Sequence, residues 1–68
     1  MPIVEITLAE GRSPEKIRAL ITAVTNAVCE SIEAPKANVR VVIREVPKTH
    51  WAAGDVTLAE RRAPAPDK

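Results

Sequence analysis

Two short runs, IVEITL at residues 3–8 and VRVVIREV at residues 39–46, frame a long stretch of helical periodicity. That order limits the folds open to the chain more than any other feature. In the first run Val4, Ile6 and Leu8 share one face, and Ile3, Glu5 and Thr7 share the other. Period-two alternation with β-branched residues is the pattern of a strand. In the second run Val39, Val41 and Ile43 lie on one face, with Arg40, Val42, Arg44 and Val46 opposite. Between them Ile17, Leu20, Ile21, Val24, Ala27, Val28 and Ile32 recur at three- and four-residue spacing. They form one apolar stripe along a helix of about five turns. Gly11 suits a turn, Ser13 an N-cap, and Pro14 the first helical position, while Glu15 complements the helix dipole. Pro35 stops the helix, because the residue before a proline avoids helical geometry.

Strand, helix, strand with a long connection is a β-α-β unit with parallel strands and a right-handed crossover. The expected class is α/β (α+β). Pro47 and the pair Gly54-Asp55 are turn formers. We expect a short turn near residues 48–51, then a small hairpin whose apolar residues are Val56 and Leu58. Residues 1–60 form the expected domain and residues 61–68 a flexible tail, with Arg61 and Arg62 at its start and no core-forming residue in APAPDK. No internal repeat or linker stands out.

Such a unit is short of core. Two strands do not make a stable sheet, their edges are unpaired, and one helix covers one face. The chain has 68 residues, and domains this small lean on disulfides, a metal or association. Cys29 is the only cysteine and His50 the only histidine, so neither an intrachain disulfide nor a spaced metal-ligand set is available. Association is the remaining route, through extended and stacked sheets. Ten Lys and Arg against nine Asp and Glu give no basic excess of the kind that nucleic-acid or membrane-surface binding requires. No apolar run is long enough to span a bilayer and no signal-peptide pattern opens the chain, so the expected compartment is the cytoplasm.

Few residues could carry chemistry. Pro2 follows Met1. As an internal residue it suits the first position of a strand. As a free amino terminus it would present a secondary amine, which is basic where an amide is not. α-Amino groups titrate at about 7.7–8.0, and an apolar pocket with nearby cations lowers that value, leaving a neutral base near pH 7. Arg12 lies in the loop before the helix and Arg40 opens the second strand among valines. Each can be read as solvated or paired with Glu5 or Glu45, or as a carboxylate clamp with two parallel hydrogen bonds. Trp51, the only aromatic residue, is either a pocket wall or the largest core side chain. Cys29 sits off the centre of the helix stripe, where packing is expected, and His50 in an exposed turn.

Together MPIVEI, AEGRSPEK, the helix ending in EAP, NVRVVIREV and PKTHWAAGD resemble the 4-oxalocrotonate tautomerase family, from Pro2 to about Gly54. After Gly54 the likeness loosens. The resemblance implies small β-α-β subunits assembled as a hexamer, a trimer of dimers, here a homohexamer. It implies removal of Met1, with Pro2 as the catalytic base. Arg12, of the GRS loop, and Arg40, of the VRV strand, correspond to the family's carboxylate-binding and polarising residues. Trp51 stands where the family usually has phenylalanine, which enlarges a hydrophobic wall beside the proline. Asn38 stands where relatives often carry a small hydroxyl residue. The implied reaction needs no cofactor and acts on a small dicarboxylate or 2-oxo acid, turning a 2-hydroxymuconate-type dienol into a 2-oxo-3-enedioate. Two other readings stay open. One is a related hydratase-type dehalogenase acting on 3-haloacrylate, or a decarboxylase, for which Glu45 and Asp55 are the available acids. The other is a non-catalytic subunit of a hetero-oligomer.

Overall fold

The computed structural model describes residues 2–62. Strand β1 (Ile3–Ala9) leads into helix α1 (Pro14–Ile32), a 3-10 turn (Lys36–Asn38) and strand β2 (Arg40–Val46). A second 3-10 turn (Lys48–His50), a hairpin of β3 (Ala52–Ala53) and β4 (Val56–Thr57), and helix α2 (Leu58–Arg62) complete it. β1 and β2 pair in parallel, with Ile3 opposite Arg40 and Ala9 opposite Val46. β3 and β4 pair antiparallel in a separate two-stranded sheet.

Local chemistry explains these boundaries. The Ser13 side chain accepts a hydrogen bond from the Lys16 N–H at 3.3 Å, and Pro14 starts α1, where its missing N–H has no partner to lose. At the other end Glu33 turns left-handed (φ 58°), and the next proline keeps the chain out of the helix. Gly54 and Asp55 both have positive φ, 60° and 69°, as a tight type I′ hairpin turn requires.

Three expectations change. The turn at Lys36–Asn38 interrupts the path into β2, which starts at Arg40, because the Val39 N–H is spent on Lys36 O at 3.1 Å. Arg61 and Arg62 belong to α2 and do not open a tail. Thr57 and Glu60 form a reciprocal capping box, each N–H donating to the other's side chain at 3.1 Å, and the Arg61 guanidinium donates to Ala53 O at 3.3 Å. The tail expected for residues 63–68 lies outside the described residues. Finally, Ala27 and Ile32 lie on the predicted stripe yet are exposed, Ile32 by 61%.

α1 covers the sheet face that carries Val4, Ile6, Leu8, Val41 and Ile43, and these become half-buried. The opposite face carries Ile3, Glu5, Thr7, Arg40, Val42 and Arg44, all exposed. Ile3 is 60% exposed and Val42 38%, and on the same face Arg44 pairs with Glu5 at 3.6 Å. That exposed ion pair contributes little. No described residue is fully buried. A single chain therefore holds a half-formed core on one side of a two-stranded sheet and uncovered apolar side chains on the other.

Candidate active site

Parallel pairing decides where the candidate residues lie. Pro2 and Arg40 meet at the amino-terminal end of the sheet, where the Arg40 N–H donates to Pro2 O at 3.0 Å. Pro2 is half-buried. The Arg40 side chain projects on the uncovered face, and its guanidinium donates to Ala37 O at 2.8 Å. Arg12 lies beyond the other end of β1. Seven strand residues at about 3.3 Å each put roughly 20 Å between the two ends.

Arg12 has its own company. Its guanidinium donates to Ala9 O at 3.3 Å and is otherwise exposed. The Glu10 N–H donates to Val46 O at 2.9 Å, which ties the loop after β1 to the end of β2. Gly11 adopts φ 128°, a region open to glycine and strained for other residues, and the Lys48 ammonium lies 3.8 Å from where a Cβ would stand on it. Trp51 follows the same 3-10 turn and is half-buried, with its carbonyl accepting the Leu58 N–H at 2.9 Å. Arg12, Lys48 and Trp51 thus belong to the carboxyl-terminal end of the sheet.

One chain therefore joins Pro2 with Arg40 and holds Arg12 and Trp51 apart from them. Among the described residues the one ion pair is Arg44–Glu5, so the pairings of Arg12 or Arg40 with Glu5 or Glu45 do not form. Glu45 sits opposite Leu8 and lines a surface hollow of about 330 Å³ with Arg12, Pro14, Ile17, Arg18 and Ile21. A second hollow of about 160 Å³ lies between Arg18, Thr25 and Lys36. Neither includes Pro2, Arg40 or Trp51. Asp55 serves the hairpin turn, and Asn38 is exposed in the turn before β2. Cys29 is a half-buried free thiol and His50 is exposed. Spacing along the sequence did not single out Lys48. Its approach to Gly11 spans 37 positions and follows from the strand register.

The family model for tautomerase enzymes matches residues 2–61. The chain belongs to this family. The 4-oxalocrotonate tautomerases are its relatives at the level of whole chains. A 2-hydroxymuconate tautomerase of Comamonas testosteroni is 47% identical over 60 residues, 88% of this chain and 95% of that protein. TomN, a 4-oxalocrotonate tautomerase homologue of the tomaymycin biosynthetic pathway, superposes with a TM-score of 0.90 at 43% identity, covering 93% of this chain and 97% of its own. A heterohexameric 4-oxalocrotonate tautomerase from Chloroflexus aurantiacus gives a TM-score of 0.86 at 42% identity, over 91% of this chain and all of that one. Tautomerase membership supports isomerase activity in general terms. No helix among the described residues is long and apolar enough to cross a membrane.

Proposed function

We propose that the chain, with Met1 removed, is a cofactor-independent 2-hydroxymuconate-type tautomerase whose active site is shared between copies. The observation that carries this reading is the parallel register, with Pro2 and Arg40 at one end of the sheet and Arg12 and Trp51 at the other. No single chain can put the Pro2 nitrogen and the Arg12 guanidinium on one small substrate. A two-fold pairing can. Among the described residues no strand pairs with the outer edge of β1. Joining it to the same edge of a second copy about a two-fold axis makes the strands antiparallel. Pro2 of each copy then meets the end of the other's β1, from which Arg12 follows. Pairing two β2 edges would leave Pro2 away from any second Arg12.

In this arrangement the free Pro2 amine removes the 2-hydroxyl proton of the dienol. The oxygen lone pair forms the C2=O bond, the C2=C3 bond moves to C3=C4, and the electrons of C4=C5 take the proton that Pro2 returns to C5. Atoms and charge balance with no cofactor. Arg40, beside Pro2, engages the 2-oxygen and its neighbouring carboxylate and draws electron density to that end. Arg12 of the other copy holds the remote carboxylate, and its Trp51 supplies an apolar wall that disfavours the ammonium form of Pro2.

Arg12→Ala and Arg40→Ala test the clamp. A charge-assisted hydrogen bond is worth about 1.5–3 kcal/mol, so each variant should lose on the order of 10- to 100-fold in kcat/KM on 2-hydroxymuconate. Full activity in both variants would discard it.

Two-fold pairs stacked through the Ile3 and Val42 face give the proposed homohexamer. Native mass spectrometry of the protein expressed alone should show six times the mass of a chain lacking Met1, the full chain being 7.4 kDa. Helical circular dichroism should be lost together with assembly, because none of the described residues is fully buried in the single chain. A folded monomer at micromolar concentration would contradict it.

A further inference from the structure

Lys48 is a cation that the shared site does not yet use. Its ammonium lies 3.8 Å from the Cβ position of Gly11, the residue before Arg12, and its side chain is half-buried. It stands at the head of the 3-10 turn that leads into Trp51. Among the described residues no carboxylate lies within 4 Å of either Lys48 or Arg12. Lys48 and Arg12 flank one loop junction at the end of the sheet that faces the second copy's Pro2 in the two-fold pair, and neither forms an ion pair among the described residues. An anion arriving at this junction gains attraction from both cations.

We propose that Lys48 is a specificity-determining residue, which joins Arg12 in binding the remote carboxylate and selects dicarboxylates over monocarboxylic 2-hydroxy-enoates. This rests on the shared tautomerase site proposed above. The remote carboxylate keeps the same charge from the dienol to the transition state, so the lysine binds both alike. Its loss should therefore raise KM and spare kcat.

The test compares Lys48→Met and Lys48→Arg with the unaltered protein on two substrates. One is 2-hydroxymuconate, with two carboxylates. The other is the enol of phenylpyruvate, with one. Lys48→Met should raise KM for the dicarboxylate so that the ratio of kcat/KM between the two substrates falls about fivefold, as loss of one exposed charge pair predicts at its upper end. Lys48→Arg should restore most of that ratio. An unchanged ratio in Lys48→Met, or an equal loss on both substrates with no rescue by arginine, would overturn the role of Lys48 while leaving the tautomerase reading intact. Inactivity of the unaltered protein on both substrates would instead remove the tautomerase reading, and the role of Lys48 with it.

Discussion

A chain that keeps any residue in front of Pro2 is expected to lose about a hundredfold to ten-thousandfold of its tautomerase activity while assembling normally. The physical reason is the nature of the nitrogen. In a peptide bond the lone pair is delocalised into the carbonyl and cannot accept a proton. As a free secondary amine it can, and a positioned general base contributes about 10²–10⁴-fold. Pro2 precedes β1, and its carbonyl already accepts the Arg40 N–H. Adding a residue upstream leaves that hydrogen bond and the strand register in place, so the loss should fall on chemistry and not on folding. Comparing an acetylated or Met1-retaining chain with one starting at Pro2, by kcat/KM on 2-hydroxymuconate and by native mass, separates the two effects. The active form should also lose activity as pH falls and the Pro2 amine takes up a proton. Cations such as Arg40 and Arg12 disfavour that protonated form and push the loss to lower pH. Equal activity with and without the block would exclude Pro2 as the base.

Local signals carried most of the fold. Ser13-Pro14 marked the start of α1, Pro35 its end, and Gly54-Asp55 the hairpin turn, because each of these residues favours one backbone geometry strongly. The same kind of signal failed at α2. The tetrapeptide Thr-Leu-Ala-Glu occurs at residues 7–10 and again at residues 57–60. At the first site it finishes β1, where the parallel ladder with β2 holds it extended. At the second its Thr57 and Glu60 close a capping box and start a helix. Tertiary pairing chooses between two states that the residues alone allow. Exposure of Ile32 has a geometric origin. Nineteen helical residues run about 28 Å at 1.5 Å each, longer than a seven-residue strand, so α1 overhangs the sheet.

The candidate site was legible in part. Pro2, Arg12, Arg40 and Trp51 could be named from the sequence, and the neighbourhood of Pro2 and Arg40 follows from two parallel strands that begin together. That Arg12 lies away from Pro2 within one chain is a consequence of the same register, since a parallel β-α-β unit sends the loop after its first strand to the far end of the sheet. Lys48 stayed hidden because its meeting with Gly11 depends on where β2 stops relative to β1.

Sharing of the site between copies is the central claim, and a mixing experiment tests it most directly. One variant carries a blocked Pro2 and the other Arg12→Ala, and each alone keeps no more than about a tenth of the unaltered activity. When the two are unfolded together in equal amounts and reassembled, a working site forms wherever a free Pro2 from the second variant meets Arg12 from the first. Random assembly makes about one site in four complete, so roughly a quarter of the unaltered protein's activity should return. A mixture that assembles to full size yet stays as inactive as its components would show that Pro2 and Arg12 do not act across subunits.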